Sequence, residues 1–251
     1  MPKQNSYTRP VSQLLTHGPV TAKANATGEW FDYVGHYGLN EEHVPALIRM
    51  VQGQDLSKRV PSHAYAPIHA CRALGQLGDA GADLYLVRLI DDQFARAELA
   101  ENILVTLSMF GPSSLKVLAR QFEYSAHEYE TQIALAAGFC IFAQQQPDYR
   151  EQCVACLMRA LANYSQQHSM LNGVLIYNLI ELQAVEAAEG IEQAFQANAV
   201  EEGVSGFWPD VQIQLGLAKA SDFPPDALMY AGELYPLPSD ETAVADAELV
   251  E

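Results

Sequence analysis

The sequence predicts an all-α fold, an α-solenoid in which antiparallel helical hairpins stack side by side. The seven residues from Ala73 to Asp79 recur 33 positions later as Thr106 to Pro112, and a weaker copy spans Asn178 to Ala184. Apolar residues follow the 3.6-residue helical period, and no Asn-Gly or Asp-Gly turn separates two alternating apolar segments. A period of roughly 35 residues is typical of helical repeats and predicts about five or six hairpins.

The N-terminal region, residues 1–27, is expected to be an extension with one short helix around Leu14. A second helix is predicted over the aromatic run from Trp30 to Tyr37, and Gly38 is placed to end it in a left-handed cap. Asn40 fits the N-cap of the third helix, because its side chain can accept a backbone hydrogen bond and acidic residues follow it.

Regular hairpins are predicted over the repeat region, residues 28–220. Gly, Pro or Asp marks the breaks between helices, and alanines within the helices allow neighbours to approach closely. We expect residues 221–251 to form a Pro-containing acidic tail, ordered to about Tyr235 and disordered beyond it. The helices after the third are expected near residues 64–77, 80–91, 94–110, 113–123, 128–145, 148–164, 168–182, 185–198 and 207–218.

The segment from Ala64 to Ile90 carries the phrase Ala-Leu-Gly-Gln-Leu-Gly-Asp between two helical patterns. This segment resembles a HEAT-like repeat of the phycobilisome-lyase type, in which two helices surround an Ala-Leu-Gly-x-Leu-Gly-Asp phrase. Later copies depart from it, since Ser108 stands where Gly75 does and the Gly-Asp turn becomes Gly-Pro. The resemblance spans residues 40–218, and residues 201–217 also resemble the closing unit of bacterial HEAT-repeat proteins of unassigned role. It implies a superhelix whose relatives include adaptors, scaffolds and bilin lyases.

Charge is distributed unevenly along the chain. The formal net charge is −17; residues 1–120 contain 11 Lys or Arg and 11 Asp or Glu, whereas residues 121–251 contain 3 and 20. Because an acidic surface repels the phosphate backbone, nucleic acid is not an expected partner. A basic protein segment fits this charge better, although acidic surfaces also keep proteins apart without binding anything.

Few residues suggest reactive chemistry. The cysteines Cys71, Cys140, Cys153 and Cys156 lie in apolar helical stretches and are expected to be buried thiols of a reducing compartment. Cys153 and Cys156 have C-x-x-C spacing, but no second ligand pair stands at a spacing typical of zinc. The seven histidines are scattered, and no nucleophile elbow, phosphate loop or dinucleotide motif is present. We therefore predict no catalytic residue, no metal and no cofactor.

Two sets of residues are the predicted partner-binding positions. Tyr and Trp are favoured anchors at protein interfaces, and acidic side chains suit a basic partner. Because the two tryptophans fall in the first and last repeats, the position of the aromatic residues favours end caps that shield a repeat core from water over anchors for a partner. The aromatic set is Trp30, Tyr33, Tyr37 and Trp208, and the acidic set is Glu186, Glu189, Glu201 and Glu202.

Together these patterns favour a cytoplasmic, non-catalytic scaffold or adaptor that binds a protein through its acidic C-terminal half. No run approaches the roughly 20 apolar residues of a membrane span, and the amino terminus lacks the pattern of a secretory leader, so no membrane partner is expected. The resemblance implies an alternative, a bilin-lyase-like enzyme or enzyme subunit with a ligand cleft on the concave face. Self-association through a terminal repeat is a third possibility, and the sequence leaves the oligomeric state open.

Overall fold

The computed structural model describes residues 7–20, 30–53, 60–92, 97–124 and 129–230. In these ranges the chain forms helices joined by turns, and no β-strand occurs among them, which confirms the predicted all-α class. The α-helices are α1 (Tyr33–Tyr37), α2 (Val44–Val51), α3 (Ala66–Leu77), α4 (Asp83–Asp92), α5 (Ala97–Met109), α6 (Pro112–Tyr124), α7 (Tyr129–Gln145), α8 (Arg150–Leu161), α9 (Ser169–Glu181), α10 (Ala188–Gln196), α11 (Glu202–Ser205) and α12 (Trp208–Gln214). The 3-10 helices are Val11–Thr16, Glu41–His43, Pro61–His63, Ala80–Ala82, Pro147–Tyr149, Tyr164–Gln166, Val185–Ala187, Ala220–Asp222 and Pro225–Ala227.

Several helices are shorter than the periodicity predicts, each for a local reason. The helix expected from residue 80 begins at Asp83, because Ala80–Ala82 forms a 3-10 turn whose Gly81 amide donates to the Asp79 carboxylate at 2.8 Å. The helix expected over 207–218 ends at Gln214, because the Leu217 amide turns back to a carbonyl five residues earlier at 2.8 Å. None of the described helices is both long and apolar enough to cross a bilayer.

The predicted caps around α1 and α2 are present. Asp32 starts α1 by accepting a backbone amide hydrogen bond at 2.7 Å, and Gly38 ends it at φ 68°, a left-handed conformation that glycine adopts at little cost. Asn40 accepts from the amide two residues on at 3.1 Å, while its own amide donates to Nδ1 of His43 at 3.0 Å. This is a capping box in which histidine takes the usual place of Glu or Gln.

The chain divides into two compact units, Met1–Cys156 and Leu157–Glu251. In unit 1 the helices α2, α3, α5 and α7 pack in succession, each against the next. Helix α4 packs on α5 and α6, α6 packs on α7, and both α1 and the Val11–Thr16 turn pack on α3. Gly138 on α7 permits the approach to α5, since a Cβ atom there would lie 2.7 Å from Cδ2 of Leu104.

In unit 2, α9 packs against α11 and α10 packs against α12. Their inward positions repeat at helical spacing, as the sequence predicts, and bury almost their entire side chains. The side chains that build this core include Leu171, Leu175, Leu179, Ile191, Ala194 and Val211.

A buried carboxylate connects α12 to the residues that follow it. Asp210 is fully buried, and its Oδ2 accepts hydrogen bonds from the amides of Phe207 at 3.0 Å and Met229 at 2.9 Å. Its Oδ1 accepts a third from the amide of Tyr230 at 3.3 Å. Asp210 therefore caps α12 and holds residues 229 and 230 against it. The predicted tail beyond Tyr230 lies outside the described residues.

Candidate functional site

The predicted partner-binding residues lie in both units. Trp30, Tyr33 and Tyr37 belong to unit 1, at or just before α1, and the remaining predicted residues belong to unit 2. The predicted residues therefore form two candidate sites, an aromatic one in unit 1 and a mainly acidic one in unit 2 that also contains Trp208. The unit 2 residues are Glu186, Glu189, Glu201, Glu202 and Trp208.

Tyr33 is joined to a histidine that the sequence pattern does not single out. The Tyr33 hydroxyl lies 2.8 Å from Nδ1 of His69, and Nε2 of His69 lies 2.8 Å from the carbonyl oxygen of Gly18. A carbonyl can only accept, so Nε2 carries the proton and Nδ1 accepts the hydrogen bond from the tyrosine. Both side chains are almost fully buried, with exposed fractions of 1% for Tyr33 and 2% for His69.

His17 lies among several of these rings and forms the centre of an aromatic cluster. Its ring centroid is 4.6 Å from that of His69, 5.3 Å from Tyr33 and 5.8 Å from Tyr37. Nδ1 of His17 is hydrogen-bonded to the Tyr37 hydroxyl. The tilted and edge-on ring geometries are those that aromatic quadrupoles favour. The cluster consists of His17, Phe31, Tyr33, His36, Tyr37 and His69.

Trp30 packs against a buried arginine. The guanidinium carbon of Arg72 lies 5.1 Å from the centroid of the Trp30 ring, within the range of a cation–π interaction. Nε of Arg72 donates to Oδ1 of Asn102 at 2.7 Å, and the Asn102 amide donates to the carbonyl of Glu98 at 2.7 Å. Arg72 is only 3% exposed, so these contacts compensate for the removal of its charge from water.

Burial controls protonation in the aromatic cluster. It lowers the pKa of His69 to about 4, and the lowering exceeds the opposing effect of the Gly18 carbonyl. Burial also lowers the pKa of His17, with a smaller contribution from His36. The pKa of Tyr33 is raised by burial, an effect that Arg72 partly offsets. The buried members of the cluster are therefore neutral at neutral pH.

The contacts of this first candidate site match an end cap more closely than an open interface. Tyr33 is inside the core, and Trp30 is covered enough that its indole Nε1 is buried with no hydrogen-bond partner among the described residues. Phe31, with 39% of its side-chain surface exposed, and His36 offer ring surface to a partner. The cluster shields the side of α3 against which α1 packs.

The acidic set begins at α10. Glu186 lies in the 3-10 turn before this helix and Glu189 in its first turn, and both are exposed. Acidic residues at this end stabilise the helix through its dipole. Gln193 donates to Glu189 at 3.4 Å one turn further along.

Residues next to these glutamates in the chain line an apolar cleft of about 300 Å³, which we call the acidic cleft after the two glutamates. One wall comes from the end of α8 and Tyr164, and the other from α10. A Cβ atom added at Gly190 would meet nothing within 4 Å, so this glycine leaves open space in the cleft. The residues that line it are Met158, Leu161, Ala162, Tyr164, Ala187, Gly190 and Gln193. The sequence pattern does not single out these lining residues, because they come from two helices that are separated in the chain.

Glu201 and Glu202 are exposed at the start of α11, a separate position from the cleft lining. The amide of Glu201 donates to the carbonyl of Ser169 at 3.1 Å, which fixes the loop on α9. Gly173 on α9 makes this contact possible, since a Cβ atom there would lie 2.8 Å from the Glu201 carbonyl oxygen.

The final predicted residue, Trp208, is the first residue of α12. Its side chain is half-buried, and its ring lies 6.0 Å from that of Phe195 on α10. This contact helps to hold α12 against α10.

The cysteines form no disulfide, as predicted, and three of the four are buried. Burial raises the pKa of Cys71 to about 12 and also raises that of Cys153 to about 12, which keeps both thiols protonated and poorly nucleophilic. Within the part of the chain that the structure describes, no three His, Cys, Asp or Glu side chains are arranged to hold a metal ion.

Compared with protein-family models, curated proteins and solved structures, the chain has no significant match to any of them. The two candidate sites are therefore supported by their own geometry.

Proposed function

We propose that the chain is a non-catalytic, HEAT-like scaffold whose C-terminal unit binds a basic, partly apolar segment of another protein at the acidic cleft. The observation that carries this proposal is an apolar cleft whose lining residues Ala187 and Gly190 directly follow the exposed Glu186 and Glu189 in the chain. Residues 157–230 contain nine Asp or Glu and only two Lys or Arg, so a cation approaching this unit meets little positive charge.

Helix packing in unit 1 supports a solenoid architecture. The helices α3, α5 and α7 pack in succession, and α4 and α6 form a second pair of neighbours beside them. Corresponding helices of consecutive hairpins thus lie next to each other, as in a repeat array. The two copies of the repeated phrase begin near the ends of α3 and α5, at Ala73 and Thr106, and each runs past the end of its helix.

The acidic cleft suits a lysine- or arginine-containing segment. Long basic side chains place their methylene groups on apolar surface and keep the charged end at the polar rim. Here the methylene groups of the lysine or arginine would lie on the apolar floor. Its charged end would pair with Glu186 or Glu189. Exposed ion pairs contribute only about 0.2–1 kcal/mol each, so affinity would come from several such pairs and would weaken with salt.

Cleft chemistry favours binding over the bilin-lyase alternative. Among the lining residues only Tyr164 has a titratable side chain, and no His, Cys, Ser, Asp or Glu is present there. A catalytic cleft needs convergent polar groups and a reactive side chain.

Fluorescence anisotropy with a labelled peptide made only of Lys, Leu and Ala tests the proposal. We expect the full chain to bind it and the Glu186→Gln, Glu189→Gln double variant to bind about tenfold more weakly. Gly190→Leu, which fills the open space in the cleft, should weaken binding without a change in charge.

The matched control is Asp226→Asn, which removes one exposed negative charge of the same unit outside the cleft lining. Equal binding by the chain and by the glutamate double variant would contradict the proposal. So would equal weakening by Asp226→Asn and each single glutamate variant, because that result would indicate a diffuse effect of net charge.

A further inference from the structure

Unit 1 contains a groove whose charge is opposite to that of the acidic cleft. It lies between α4 and α6, which pack against each other, and has a volume of about 440 Å³. Residues three and four positions apart on each helix face it, so each helix contributes one continuous stripe. The arginine groove, as we call it, is lined by Leu84, Val87 and Arg88 of α4 and by Val117, Arg120, Gln121 and Tyr124 of α6.

The two arginines stand on opposite walls of the groove. Arg88 and Arg120 are both exposed, and among the described residues neither forms an ion pair or a hydrogen bond through its side chain. The carboxylate of Asp83, at the start of α4, is already engaged by the Leu84 amide at 2.6 Å and the Ser114 hydroxyl at 3.3 Å. No described side chain therefore competes with an external anion for either guanidinium.

Exposed apolar surface accompanies this charge. Leu84 has 48% of its surface exposed and Tyr124 has 83%, both high values for large apolar side chains. Val87, only 1% exposed, forms part of the floor between the two arginines. The apolar floor and the two exposed arginines together suit a ligand with apolar groups flanked by negative charge.

We propose that the arginine groove binds an acidic peptide segment with an apolar face, supplied by a partner protein. Guanidinium groups hold carboxylates in a planar, two-bond geometry, and one arginine on each wall would contact two acidic residues of the segment. Leu84, Val87 and Val117 would receive an apolar side chain between them. The inference does not depend on the acidic cleft, which lies in the other unit and prefers the opposite charge.

Charge complementarity favours a peptide over a nucleic acid as the occupant. The chain as a whole has a net charge of −17, which opposes a polyphosphate approaching from solution. A short peptide with a few carboxylates experiences this long-range repulsion far less than a polyanion does. Its apolar residues also bury surface on Leu84 and Tyr124, which a phosphate backbone does not.

Binding can be measured by anisotropy with a labelled peptide made only of Glu, Leu and Ala, in which Glu and Leu alternate at helical spacing. The full chain should bind this peptide at low salt. The Arg88→Gln, Arg120→Gln double variant should bind at least about tenfold more weakly, because both charge-assisted contacts are removed. Leu84→Ala should also weaken binding, and a peptide with Gln in place of every Glu should bind poorly.

Lys116→Gln is the matched control, since Lys116 is an exposed cation of α6 that does not line the groove. This variant should bind like the unmodified chain. Failure of the acidic peptide to bind, unchanged binding by the double arginine variant, or equal loss in Lys116→Gln would each overturn the proposal. Circular dichroism of each variant verifies folding, and loss of binding counts only where the helical signal is intact.

Discussion

The hydroxyl group of Tyr33 donates a hydrogen bond to Nδ1 of His69 across 2.8 Å, and this bond joins α1 to α3 inside unit 1. His69 in turn donates through Nε2 to the Gly18 carbonyl. The neutral imidazole of His69, on α3, is therefore bonded both to α1 and to the backbone at Gly18. This arrangement makes the stability of unit 1 sensitive to pH and to single atoms of the two side chains.

Acidification should destabilise the protein through His69. Its pKa is about 4 in the folded chain, against an ordinary value of 6.5, so the unfolded chain binds more protons between these values. Stability contributed by neutral His69 is therefore complete above about pH 6.5 and is lost as the pH falls towards 4. Urea unfolding should give a free energy lower by about 2 kcal/mol at about pH 5 than at about pH 7.5.

The control for this prediction is His69→Gln, which has no titrating ring at this position. Most of the difference between the two pH values should disappear in this variant. An identical pH dependence in both proteins would show that other groups, such as His17, are responsible.

Tyr33→Phe should destabilise unit 1 by about 1–3 kcal/mol, because Nδ1 of His69 then lacks a donor while the ring stays buried. Thermal unfolding measures the loss. Tyr37→Phe offers a comparison, since it removes the same atom from a half-buried pair with His17 and should cost about 0.5–1 kcal/mol. Equal losses would contradict the buried position of the Tyr33–His69 bond.

Two glycines of unit 2 should respond oppositely to alanine. At Gly173 the new methyl group would lie 2.8 Å from the Glu201 carbonyl oxygen, so Gly173→Ala should destabilise the chain by about 1–3 kcal/mol. At Gly190 the methyl group meets nothing within 4 Å, and Gly190→Ala should stabilise α10 by about 0.5–1 kcal/mol. Chemical denaturation of the pair measures the difference, and a stabilising Gly173→Ala would argue against this packing of α9.

Asp210→Asn should release the residues that follow α12. An amide has one acceptor oxygen instead of two, so at least one of the three backbone donors loses its partner, at a cost of about 1.5–3 kcal/mol. Hydrogen exchange at the Met229 amide should accelerate. Asp222→Asn is the comparison, because the exposed Asp222 accepts from a single amide, that of Lys219, at 2.8 Å. Unchanged exchange at Met229 would contradict the role of Asp210.

Local signals in the sequence were enough to predict most of the helices and the caps around α1, but not the start of α4, the end of α12 or the short helix α11. Gly38 and Asn40 act on their nearest neighbours, and their roles follow from backbone conformation and a short side chain alone. The association of His17 with His69 could not be predicted in this way. These residues are 52 positions apart, and only the packing of the N-terminal turn on α3 brings them together.

The arginine groove could be predicted from the sequence only in part. The 33-residue spacing of the repeated sequence phrase aligns Leu84 with Val117 and Arg88 with Gln121, so the two stripes occupy equivalent positions in the sequence pattern. Repeat register alone thus indicates which residues face one another. It does not indicate that Arg88 and Arg120 have no partner among the described side chains, because that depends on the rotamers and on the engagement of Asp83 elsewhere.

The hydrogen bonds of Asp210 to residues 229 and 230 also have a practical use. They close a loop of about twenty residues without a covalent link, so that Tyr230 has a defined location on the surface of unit 2. A spin label or a fluorophore attached immediately after this residue would start from a known origin. Distances measured from such a probe to one on the opposite unit would give the relative arrangement of the two units in solution.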